Sequence, residues 1–112
     1  MNRFNTLTSL INFNKPISEL SEELSKLDWD YEGTPLVVSG TDIKRVLQLY
    51  LDGECTAKEL EDWANLIECR EDLEFEEELI EEIIYKLSNP VLEGEVTIES
   101  CSKLLAQFNR VT

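Results

Sequence analysis

The sequence predicts an all-α protein, a single-domain bundle of four to five helices over residues 1–112. Three observations predict it. Apolar side chains recur at helical spacing in separate stretches, threonine or serine precedes several of them, and glycine or Asn-Pro follows. The stretch from Thr56 to Leu87 shows all three most plainly, with glutamates filling most of the gaps between the apolar positions.

Taken in order, residues 3–12 are expected to form a first helix with Phe4, Leu7, Leu10 and Ile11 inward, followed by a loop from Asn12 to Pro16. Ser18 is the expected cap of a second helix bearing Ile17, Leu20, Leu24 and Leu27. Its Glu19, Glu22 and Glu23 lie near the N-terminal end, where the helix dipole favours anions. Asp28 to Pro35 is irregular, acidic and aromatic, and ends in turn residues. Leu36-Val37-Val38 reads as a short extended piece or as chain packed on the core, and one such run makes no sheet alone. Thr41 is the expected cap of a third helix with Ile43, Val46, Leu47, Tyr50 and Leu51 on one face. Gly53 ends it, in the position that wants a left-handed residue.

Thr56 and Glu59 form a capping box, after which Leu60, Trp63, Ala64 and Ile67 share one helix face. Asp72 is the next expected N-cap. Behind it Phe75, Leu79, Ile80, Ile83, Ile84 and Leu87 make another stripe, which Asn89-Pro90 stops. Leu51-Asp-Gly53-Glu-Cys-Thr56 is echoed by Leu92-Glu-Gly94-Glu-Val-Thr97, so a glycine turn and a threonine cap start a helix twice. The last helix is expected to turn Ile98, Cys101, Leu105 and Phe108 inward and to fray over its final three residues.

Hydrophobic residues make up 42% of the chain, enough for a single core. No run of 18 apolar residues and no apolar leader region is present, so a cytoplasmic protein is expected. Cys55, Cys69 and Cys101 lack zinc-type spacing, and Cys101 falls on an apolar face as a reduced core residue. There is no histidine, which removes Ser-His and Cys-His catalysis, and no phosphate loop or nucleophile elbow. Asp28-x-Asp30-x-Glu32-Gly33 opens like a calcium loop. It then fails, with Pro35 at the eighth position and Ser39 where a bidentate glutamate belongs. No enzyme activity, cofactor or metal is therefore expected.

The charge carries the functional reading. Twenty-four acids oppose ten bases, a net charge of -14. Such a field opposes nucleic acid and anionic membranes as ligands and favours a basic protein partner. The expected partner-binding residues form two groups. The first is the loop Asp28, Trp29, Asp30, Tyr31 and Glu32, where aromatic rings bracketed by carboxylates suit a hot spot for Lys or Arg. The second is the acidic run Glu71, Asp72, Glu74, Glu77, Glu78 and Glu81. The plainer alternatives are a solvated acidic face and a Trp29 that plugs the core. A rival active reading is a DNA mimic, with carboxylates spaced like phosphates. The free protein is expected to be a monomer or weak dimer.

Leu49-x-Leu51-x-Gly53-x-x-Thr56-x-x-x-Leu60 is similar to the pattern that starts a helix in small helical immunity proteins, which guard bacteria against their own colicin-type or contact-dependent toxins. The run from Gly53 to Arg70, with Trp63-Ala64-Asn65 and Arg70-Glu71-Asp72, also resembles a group of small acidic bacterial proteins. The resemblance spans about residues 41–105 and rests on structural motifs, so it assigns no role to any residue. It implies a cytoplasmic, all-helical inhibitor that plugs the basic active site of one cognate toxin, with a nuclease as the toxin that most needs Lys and Arg.

Overall fold

The computed structural model describes residues 3–27, 33–68 and 70–111. Its elements run α1 (Arg3–Asn12), α2 (Ile17–Ser25), β1 (Leu36–Val38), α3 (Gly40–Leu51), α4 (Ala57–Glu68), β2 (Leu73–Phe75), α5 (Glu78–Ser88), α6 (Pro90–Glu93) and α7 (Ile98–Val111). The protein is mostly helical, as expected, with more helices than the four or five anticipated and one small sheet besides.

The core forms where the apolar stripes meet. Leu60, Trp63, Ala64 and Ile67 of α4 are fully buried, as are Ile80, Ile83, Ile84 and Leu87 of α5, and these two helices pack against each other. Leu7, Leu10 and Ile11 of α1, Leu20 and Leu24 of α2, and Ile43, Val46 and Leu47 of α3 complete it, with Cys101 of α7. Burying each large aliphatic side chain contributes about 1.5–3 kcal/mol, so this set outweighs the charge repulsion on the outside. Trp63 anchors the centre. Its indole N–H donates to the Leu10 carbonyl at 2.7 Å, and its ring stacks parallel to Phe13 at 6.1 Å between centroids.

The helix ends follow local chemistry. The expected Thr56 box is present: the Glu59 N–H donates to Thr56 Oγ1 at 3.1 Å, and the Thr56 N–H to Glu59 Oε1 at 2.9 Å. Thr97 starts α7 in the same reciprocal way, with Ser100 as its partner. The cap of α3 is Ser39 rather than Thr41. Asp42 stands three residues after Ser39, and the two exchange side-chain and backbone hydrogen bonds. The cap position of α2 is Pro16 rather than Ser18, and the Leu20 N–H donates to the Pro16 carbonyl. Gly53 closes α3 at φ +81°. The Glu54 N–H reaches back to the Leu49 carbonyl and the Gly53 N–H to Tyr50, the paired bonds of a left-handed C-terminal cap.

The fold departs from an all-helical reading between α4 and α5. Asp72 is not a helix cap, and α5 begins six residues later, at Glu78. Leu73, Glu74 and Phe75 instead pair in parallel with Leu36, Val37 and Val38, with α3 and α4 as the crossover that parallel strands require. The Leu36 N–H donates to the Asp72 carbonyl and the Glu76 N–H to Val38, each at 3.0 Å, which fixes the register. Phe75 and Leu79 are four residues apart and so imitate a helical stripe, but one belongs to a strand and the other to a helix. Of the acids in this run, Glu78 and Glu82 are a like-charged pair four residues apart within α5, whereas Glu74 lies on β2.

Two further side chains differ from expectation. Phe4 is exposed, and Thr6 takes an inward position on α1 instead. Ile98 is exposed because it opens α7, a turn before Cys101 brings the helix onto the core. The helical backbone of α7 runs to Val111.

Candidate functional site

Asp72, expected to face a partner, is an internal residue. Its side chain is 2% exposed and bound to two guanidiniums, Arg70 at 2.8 Å and Arg3. Burial alone pushes its carboxyl up. The hydrogen bonds and charges of Arg70 and Arg3 together outweigh that and hold it below the usual range. This cluster ties the start of α1 to the approach to β2, and it consumes two of the ten cations.

The other cations are spent in a pattern. Lys15 pairs with Glu23 at 2.9 Å, Lys26 with Glu22 at 3.9 Å and Arg45 with Asp42 at 3.2 Å. Lys58 pairs with Asp62 at 3.2 Å and Lys103 with Glu99 at 3.3 Å. These contacts offset acids on α2, α3, α4 and α7. None reaches the run from Glu71 to Glu82. Within those residues Glu71, Glu74, Glu76, Glu78, Glu81 and Glu82 are exposed and Glu77 is half-buried. Among the described residues, none of these seven makes an ion pair.

Local structure explains why the carboxylates face outward. On α5 the buried positions Ile80, Ile83, Ile84 and Leu87 take one side and leave Glu78, Glu81 and Glu82 on the other. On β2 the strand alternation turns Leu73 inward and Glu74 outward. The N-terminus of α5 has no side-chain cap, so its free N–H groups present a partial positive charge, which steadies Glu78 and Glu81 in its first turn. Glu78, Glu81 and Glu82 line, with Tyr85 and Lys86, an open depression of about 600 Å³. The ring of Tyr85 is 43% exposed there. The structure thus groups Glu78 and Glu81 with Glu82 around one depression, leaves Glu71, Glu74 and Glu76 exposed and Glu77 half-buried in the segment that leads to it, and removes Asp72. The loop Asp28, Trp29, Asp30, Tyr31 and Glu32 lies outside the described residues, as does Cys69.

Both described thiols are protonated at neutral pH. Burial pushes Cys55 up, with the charges of Glu59 and Glu54 adding to it, and burial pushes Cys101 to about 11. Among the described residues no cluster of three acids or cysteines converges as metal ligands do, and no helix is long and apolar enough to cross a membrane. What the acidic face can do chemically is accept charge-assisted hydrogen bonds from several Lys or Arg side chains at once.

Sequence reasoning missed an apolar surface at the other end of α5. Val91, Leu92 and Ile98 are among the most exposed large aliphatic residues of the chain. The available signal was Val91-Leu92 itself, an apolar pair between Pro90 and Gly94 that belongs to no helical stripe. Compared with known proteins, the chain matches no family model, no curated protein and no solved structure.

Proposed function

We propose that this chain is an acidic inhibitor of the immunity type, which binds one basic toxin domain and covers its active or substrate-binding surface. The observation that carries the reading is the stretch along β2 and α5: seven glutamates in twelve residues, none in an ion pair with a described side chain, while five of the ten cations pair on other helices and two are held by the buried Asp72. Keeping such charges together costs stability through self-repulsion, and a positive surface on a partner repays that cost. A nuclease is the toxin class that fits best, because it must present Lys and Arg to phosphates. The face that grips nucleic acid is then the face this protein occupies, in the cytoplasm of the cell that makes the toxin.

The test is to look for a toxin gene next to the gene for this chain, express the basic domain it encodes, and measure complex formation and residual nuclease activity. A one-to-one complex that silences the nuclease is expected. The combined reversal Glu74→Lys, Glu77→Lys, Glu78→Lys and Glu81→Lys is expected to weaken it at least a hundredfold while leaving the helical content unchanged. An unchanged affinity, or a neighbouring product that is not inhibited, overturns the proposal.

A further inference from the structure

The single turn α6 is held at both ends. Pro90 occupies its first helical position, and Gly94 leaves it at φ +104°, a conformation that side-chain-bearing residues rarely adopt. On this turn Val91 is 96% exposed and Leu92 72%. Ile98, at the start of α7, is 56% exposed. Scattered exposed aliphatics need no explanation, but three on adjacent and well-anchored backbone do. The anchoring is visible on both sides. The Gly94 N–H donates to the Pro90 carbonyl at 3.0 Å, and the Thr97–Ser100 pair secures the start of α7.

Between α6 and the first turns of α4 runs an open groove of about 570 Å³. Ala57, Pro90, Val91 and Val96 give it apolar walls, and Glu61 and Glu95 bring carboxylates to the same space. Lys58 also borders it, but its ammonium is held by Asp62 at 3.2 Å and Glu61 at 3.5 Å. The groove is therefore apolar inside and net negative.

That combination selects the occupant. A second copy would bring a further charge of -14 to the contact, and its own Glu61 and Glu95 to face these. A basic amphipathic helix meets both demands, with aliphatic residues at successive turns on Val91 and Val96 and Lys or Arg beside Glu61 and Glu95. We infer that the α4–α6 groove docks a basic amphipathic segment of a protein partner. This rests on the reading of a basic partner given above and divides the work. The β2–α5 carboxylates accelerate encounter, and the groove supplies the desolvated apolar contact that slows release.

The inference is tested with a synthetic eighteen-residue Leu/Lys amphipathic peptide, set against a Ser/Lys peptide of equal charge and a Leu/Glu peptide of equal apolarity. Amide shifts are followed on the full chain by NMR. The Leu/Lys peptide is expected to shift Ala57, Val91 and Val96 and to bind at least tenfold more tightly than either control. Val91→Ser is expected to weaken it about tenfold, and Glu61→Gln with Glu95→Gln by a similar factor. Val91 and Glu95 are exposed and Glu61 is half-buried beside Lys58, and unchanged thermal unfolding will confirm that the fold survives each change. Shifts confined to β2 and α5, or an affinity indifferent to Val91→Ser, overturn the groove. So does a dimer in sedimentation that Val91→Ser dissolves, because a second copy would then be the occupant. A toxin complex that survives Val91→Ser overturns only the groove, and one that never forms while the peptide still binds there overturns only the proposed function.

Discussion

Phe13 sits at φ +49°, just past the end of α1, in a left-handed conformation that costs a side-chain-bearing residue about 1–2 kcal/mol. It is held there by the turn and by packing. The Asn14 N–H reaches the Ser9 carbonyl, the Phe13 N–H reaches Leu10, and the ring lies on Trp63. Trp63 in turn donates to the same Leu10 carbonyl, so strain, stack and hydrogen bond form one unit. Phe13→Ala is expected to lose the stack and keep the strain, while Phe13→Gly loses both. In urea unfolding the glycine variant should therefore be the more stable of the two by about 1 kcal/mol. The Asp72 cluster is the second residue-scale device. Asp72→Asn leaves two partly buried guanidiniums without their counter-charge and is expected to cost about 3 kcal/mol. Because the folded carboxyl is held below its ordinary value, its contribution is complete above about pH 4 and fades as the pH falls below that. Acid titration of stability should be shallower below pH 4 in Asp72→Asn than in the parent.

At the scale of elements, the helix ends are a second source of testable statements. The N-cap position of α5 is Glu77, with β-region backbone of φ −139° and ψ 153° but no side-chain cap. Glu77→Ser places a short acceptor there and is expected to raise stability by about 1 kcal/mol in thermal unfolding. That a stabilising residue is absent fits a face retained for its charge. The elements also show what could be read in advance. Ile80, Ile83, Ile84 and Leu87 gave the buried side of α5, because four large residues at helical spacing have only one common face. Thr56 with Glu59 gave a helix start, because both partners of the box lie within one turn. The β1–β2 pairing was illegible for the opposite reason. Its three-residue runs carry too little periodicity, and its partners meet only after two intervening helices have folded. The fate of Asp72 was half legible, since Arg70 stands two residues before it but Arg3 lies 69 residues away. The acidic run was legible in composition and its extent was not, because deciding which acids stay unpaired needs the positions of the cations that pair in the folded chain, seven among the described ion pairs.

For the whole molecule, charge is the dominant property. With a net charge of -14 the folded state repels itself, and the charged run on β2 and α5 concentrates that effect. Added salt shortens the screening length from about 30 Å at 0.01 M to about 8 Å at 0.15 M. The melting temperature is therefore expected to rise by several degrees across that range, and to rise less in the fourfold Glu→Lys variant, where the repulsion is already relieved. The same long-range field governs encounter with a positive partner. The most direct measurement is the association rate with the basic toxin domain, followed by stopped-flow fluorescence at low and high salt for the parent and for that variant. The account predicts a parent rate near 10⁸ M⁻¹s⁻¹ at low salt that falls steeply as salt is added, and a variant rate at least tenfold lower with little salt dependence. Equal rates with equal salt dependence would contradict it.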